Sequence, residues 1–115
     1  MRNIRTLTKE YLMPKFSLGQ VVMTRGVQEA LERHPEEKGM EELHHIIFSR
    51  HVEGDWCNEG DLDDHDVQAN EHALKTEGRL FSVYYLKDGT DRGTKIYVIT
   101  EWDRSVTTAL LPEEY

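Results

Sequence analysis

Residues 79–115 read RLFSVYYLKDGTDRGTKIYVITEWDRSVTTALLPEEY, and they decide the fold class. RLFSVYYL, KIYVIT and SVTTALL are each rich in Val, Ile, Thr, Tyr and Phe, the residues that fit a pleated, half-buried surface. KDGTDRG and EWDR separate them and carry turn chemistry, so the stretch predicts three consecutive antiparallel strands. In the first, Leu80, Ser82, Tyr84 and Leu86 share one face while Phe81, Val83 and Tyr85 share the other. Both faces are largely apolar, which predicts a central strand. In the second strand Ile96 and Val98 alternate with Lys95, Tyr97 and Ile99. In the third, Val106, Thr108 and Leu110 alternate with Ser105, Thr107, Ala109 and Leu111. One sheet face should carry helices and the other should be partly wet.

Upstream the period changes from two to that of a helix. Met40, Leu43, Ile46 and Ile47 predict a helix from near Met40 to about Val52, with Phe48 extending its buried face and Gly54 following its end. Asp61-Leu62-Asp63-Asp64 offers a carboxylate cap to a second helix, Asp64 to Lys75, whose inner stripe is Leu62, Val67, Asn70, Ala73 and Leu74. Gly78 suits its C-terminal end. Earlier still, Leu18 to Arg25 offers a short strand at Val21-Val22-Met23. Gly26 allows a turn into VQEALERH, a helix of about two turns that Pro35 stops. Residues 1–16 form an N-terminal arm, and 17–115 a single α+β domain. In that domain the N-terminal helices pack on a C-terminal antiparallel meander of three to four strands.

The chain has 115 residues, 37% hydrophobic and 31% charged, which suits one domain with a modest core. It contains no apolar run long enough for a membrane helix, and none after the first basic residues to serve as a signal peptide. Cys57 is the single cysteine, so no internal disulfide forms and a reducing cytoplasm is the expected setting. The formal charge of −8 is local: Val52–Glu77 holds nine acids against Lys75 alone, and the rest of the chain is neutral. Such a segment repels nucleic-acid phosphates and attracts basic partners, although it also serves simply to solvate a helix flank.

Six histidines raise the question of a metal. His44 and His51, like His65 and His72, stand seven apart, which on a helix separates the rings by ~10 Å. Neither pair chelates one ion alone; a site would need His51 to meet His65 or Asp61 across the loop. GDLDDHD fails the calcium-loop pattern, with His65, Asp66 and His72 at the fifth, sixth and twelfth positions. The expectation is surface histidines, no metal and no cofactor. Cys57, flanked by Glu53, Asp55 and Glu59, lacks the electropositive setting of a reactive thiol. Trp56 and Trp102 sit in polar, loop-like contexts, where an indole either folds back onto a core edge or anchors a partner.

Two resemblances bear on function. The order of parts from about Glu42 to Pro112, a histidine after a helix and then a sheet carrying Arg and Thr, is similar to the barnase/colicin/RelE-like toxin nucleases. It implies a metal-independent endoribonuclease with His51 as base, Arg104 on phosphate and Thr107 as a donor. The acidity beside His51 counts against it, since RNA binders are usually basic. The second covers Leu18–Tyr115. LGQVVMTRGVQEAL, RHVEGDW with GDLDDHDVQANEHAL, and KIYVITEWDRSVTTALLPEEY resemble a family of small bacterial proteins found on plasmids, phages and integrated elements. Cys57-Asn58-Glu59 departs from its pattern as an insertion after GDW, and the first hairpin is longer than expected. That family has no established activity. The resemblance implies a mobile-element context, in which small acidic proteins block restriction or CRISPR machinery. The expected function is therefore a cytoplasmic, non-enzymatic protein-binding module. Its contact surface would comprise Glu53, Asp55, Trp56, Asp61, Asp63, Asp64, Asp66 and Trp102, and its partner would be a basic, nucleic-acid-binding host protein rather than DNA or a membrane.

Overall fold

Alternating apolar residues pair as the spacing predicts: β2 (Leu80–Leu86), β3 (Thr94–Thr100) and β4 (Val106–Leu110) form an antiparallel meander. A fourth strand, β1 (Gln20–Met23), joins β4 in parallel, giving a mixed sheet of order β1-β4-β3-β2. This computed structural model describes residues 15–34, 38–57, 62–87 and 93–115. Most of the N-terminal arm and of KDGTDRG, together with Asn58 to Asp61, lies outside them. The protein is α+β, with helices mainly before the strands. Gly19 permits the parallel pairing: its φ is +63°, and a Cβ there would lie 2.4 Å from the backbone oxygens of Arg104 and Ser105.

The helices are α1 (Arg25–Glu32), α2 (Gly39–His45) and α3 (Asp64–Thr76). Thr24 caps α1 by accepting from the Val27 amide, and the Glu114 carboxylate accepts from the Gly26 amide at 3.0 Å, tying the chain's C-terminal end to this helix. The helix thus begins one residue before Gly26, which lies in its first turn. Val27, Ala30, Leu43, Ile46 and Ile47 close over Tyr84, Leu86, Ile96, Val98 and Ala109, forming the main core on one sheet face. A second cluster of Trp56, Ala73 and Leu80 sits where α3 meets β2. On the helix-free face Phe81, Tyr97 and Tyr115 form an aromatic layer, with Phe81 and Tyr97 centroids 4.8 Å apart. Among the described residues, no helix is long and apolar enough to cross a membrane.

The helix predicted from Met40 to Val52 exists as three successive windings. After α2 the backbone widens to a π-helix over Ile46–Arg50, then tightens to a 3-10 turn over His51–Glu53. The His51 amide still bonds back to Ile46, five residues earlier. In an uninterrupted α-helix Leu43 and Val52 would face opposite sides, 100° accruing per residue. Leu43, His51 and Val52 are nevertheless all buried along this segment. Met40 and Phe48, expected on the inner face, are exposed at 57% and 41%.

Strand β2 is terminal rather than central, yet Leu80, Ser82, Val83, Tyr84 and Leu86 are all buried. Its outer edge is closed. Asn70 of α3 donates to the Phe81 carbonyl at 2.7 Å and accepts from the Phe81 amide at 3.0 Å. Further along, the Val83 amide donates to the Trp56 carbonyl at 2.9 Å and the Lys87 amide to the Glu42 carboxylate at 2.8 Å. These contacts occupy the backbone groups through which a bare edge recruits foreign strands.

Candidate functional site

The segment after the 3-10 turn is pinned from both sides. Gly54, at φ +83°, reverses the chain, and the Arg50 guanidinium grips Asp55 through Nε (2.7 Å) and Nη2 (3.2 Å) while Nη2 also donates to the Cys57 carbonyl (3.1 Å). Arg50 lies over the Tyr84 ring, and the Tyr84 hydroxyl donates to the Asp55 carbonyl at 2.6 Å. The hydrogen bond to Asp55 raises the Arg50 pKa despite partial burial, and burial raises that of the Tyr84 phenol. Trp56 is therefore driven inward. It is 4% exposed, and its indole N–H donates to Glu71 of α3 at 2.8 Å. Trp56 thus folds back onto the core and is not available to a partner. Cys57 makes a single bridge beside Val83 and is half-buried.

Across the loop, α3 presents its acids. Asp63 accepts from the Asp66 amide at 2.8 Å and is the N-cap, the role that a carboxylate at the positive end of a helix dipole favours. Asp63 and Asp64 are exposed, Asp66 and Glu53 half-exposed. Asp61 lies outside the described residues. Asp55 is the only one of the described contact acids in an ion pair, and no Lys or Arg among the described residues neutralises Asp63, Asp64 or Asp66. Trp102 is 61% exposed in the β3–β4 turn, but it is not beside this cluster. The turn docks at the opposite end of α3, where Arg104 donates to the Ala73 and Gly78 carbonyls at 3.0 and 2.6 Å. Asp63 and Ala73 are ten residues apart, about 15 Å along the axis.

His51, Arg104 and Thr107, the predicted ribonuclease set, do converge, but inward. His51 is fully buried between Ser82 Oγ (2.6 Å from Nδ1) and Thr100 Oγ1 (2.8 Å from Nε2). Thr100 Oγ1 lies 2.7 Å from Thr107 Oγ1, and Thr107 donates to the Leu18 carbonyl at 2.7 Å. One proton per hydroxyl orders the whole chain. Thr107 gives its proton to Leu18, so it accepts from Thr100; Thr100 then accepts from Nε2–H, and Nδ1 accepts from Ser82. The network holds a neutral imidazole in a single tautomer. Burial, and secondarily the charge of Arg104, pulls the His51 pKa down to about 3.

Phe16 and Trp56 close the ring edges, at centroid distances of 5.2 and 5.7 Å. His51 is therefore an interior histidine, where a surface one was expected, and it has no face from which to take a substrate proton. Arg104, at φ +60°, also donates to the Glu101 and Trp102 carbonyls at 3.1 and 3.3 Å. It closes the C-terminal end of α3 onto the β3–β4 turn, with its guanidinium engaged by backbone. Among the described residues, no three His, Cys, Asp or Glu side chains are placed to hold a metal ion.

Ser82, Thr100, Asn70 and Arg50 complete these arrangements and were not anticipated. The signal for Ser82 and Thr100 was present: each occupies an inward position of a strand otherwise filled by Leu, Tyr, Ile and Val, and buried hydroxyls require partners. Scans of protein-family models, curated proteins and solved structures return no match to this chain.

Proposed function

We propose that this chain is a non-enzymatic protein-binding module of a bacterial mobile genetic element, acting in the cytoplasm on a cationic partner. The partner class is a nucleic-acid-binding host protein such as a restriction or CRISPR nuclease, whose basic groove the acids engage in place of phosphate. The observation that carries this reading is the state of Asp63, Asp64 and Asp66: held at the start of α3, the first two exposed and the third half-exposed, and without a Lys or Arg partner among the described residues. Fixed carboxylates of one sign steer encounter with a cationic surface and disfavour anionic ones. Glu53 extends the patch along the preceding turn, whereas Asp55 is neutralised by Arg50. Trp102, at the far end of α3, belongs to the same surface only for a partner that spans the helix length.

The test is capture of purified host nucleases by wild-type protein and by a variant carrying Asp64→Lys and Asp66→Lys, with Asp63 retained because it caps the helix. The double reversal should weaken capture at least about tenfold, the scale of a few surface charge contacts. Equal capture by both proteins would end the reading.

A further inference from the structure

Residues 111–115 fasten to the fold at two separate places. The Glu114 carboxylate accepts from the Thr24 hydroxyl, from the Gly26 amide (3.0 Å) and from the Leu111 amide (2.9 Å), joining the start of α1 to the end of β4. Gly26 leaves room for it: a Cβ there would lie 2.7 Å from the carboxylate. One residue on, Tyr115 lies over the aromatic layer of the helix-free face, its centroid 6.0 Å from Tyr97 and 6.5 Å from Phe81. The Arg79 guanidinium stands 5.4 Å from the centre of that ring and donates to its hydroxyl. Pro112–Glu114 forms a 3-10 turn, in which the Glu114 amide donates to the Leu111 carbonyl at 2.9 Å. Leu111 packs against the main core, whereas Glu113, Glu114 and Tyr115 are exposed, Tyr115 at 66%.

We propose that residues 112–115 are a strap, hinged at Leu111, that opens and closes as one unit over Phe81 and Tyr97. Apolar packing fixes Leu111. Beyond it no residue of the turn is buried, so the strap is held by hydrogen bonds and ring contacts that water reaches. Segments with few buried apolar contacts and exposed hydrogen bonds open at low free energy. The two anchors, Glu114 and Tyr115, are adjacent in the chain but engage different elements. A backbone shift that frees one therefore displaces the other. The Thr24 hydroxyl couples this device to α1, since it donates to Glu114 and accepts from the Val27 amide at 3.4 Å. Opening uncovers Phe81 and Tyr97 and parts Arg79 from Tyr115, so a ligand of that aromatic pair binds with an affinity scaled by the open fraction. The inference does not draw on the acids of α3.

Amide exchange of the full chain, resolved residue by residue, tests it. The Gly26 and Leu111 amides, both bonded to Glu114, should exchange through a common opening that slows them only about 10- to 1,000-fold, the range of a minor state populated at about 0.1–10%. The Thr24 amide, bonded to Ala109 of β4, should instead follow the sheet. Tyr115→Ala removes the far anchor and should speed exchange at Gly26 about three- to tenfold. Glu114→Ala removes the near one and should move the Phe81 and Tyr97 ring resonances toward their positions in Tyr115→Ala. Gly26→Ala favours the helix but crowds the carboxylate, and should move the same resonances in the same direction. Protection at Gly26 and Leu111 equal to that of the sheet would make the segment a fixed part of the fold, and no protection would mean that it does not close; either overturns the proposal. So does a Tyr115→Ala variant with unchanged exchange at Gly26, because the two anchors would then move independently.

Discussion

At His51 the question is what a histidine does when sealed between two hydroxyls. The ordered chain from Ser82 to Leu18 leaves Nδ1 as an acceptor, so a second ring proton would confront the Ser82 proton in a site without water access. The folded pKa is about 3, against an ordinary value of 6.5. Below pH 6.5 the unfolded chain therefore binds a proton that the folded chain does not, and stability falls with pH until the folded pKa is reached. The expected loss from this group between pH 7.5 and pH 5 is about 2 kcal/mol. Urea unfolding at the two pH values measures it. His51→Gln should be less stable at pH 7.5 yet show a correspondingly smaller pH dependence; an unchanged dependence in the variant would assign the effect to other groups.

Secondary elements were largely legible, because strands and helices announce themselves by period. The three C-terminal strands and α3 lie within a residue or two of where alternation and capping put them. Edge closure was not legible, because it rests on contacts distant in sequence. Asn70 read as one polar member of an inner stripe; its partner is the backbone of Phe81, eleven residues on. A single side chain there satisfies both an amide and a carbonyl while itself only 3% exposed. Asn70→Ala leaves both groups without it, and the expected cost is about 2–4 kcal/mol, the penalty for stranding buried polar groups. Chemical denaturation gives the loss, and amide exchange at Phe81 localises it. A loss below about 0.5 kcal/mol, inside the range of neutral surface changes, would mean that the edge is held by Trp56 and Glu42 alone. The π-helical turn was equally illegible. At 100° per residue Phe48 stands about 140° round from Leu43, so a wheel of one pitch already turns it away from the Leu43, Ile46 and Ile47 stripe, and in the structure it is exposed.

For the molecule as a whole, the acidic segment packs along β2 through Asn70 and reaches the entry to β1, where Phe16 lies on Trp56. Local acidity was readable by counting. That the α3 acids flank the β2 edge follows from strand order, which periodicity does not specify: β1 could have paired with β2 as readily as with β4. Association through these acids should answer to salt. Contacts made by Asp63, Asp64 and Asp66 with a cationic partner are solvent-exposed and weaken as the screening length shortens from ~10 Å at 0.1 M to ~3 Å at 1 M. Raising sodium chloride from 0.1 to 1 M should therefore weaken partner capture about tenfold or more. Calorimetric titrations at the two salt concentrations decide it. Salt-insensitive capture would place the partner's contact away from these acids.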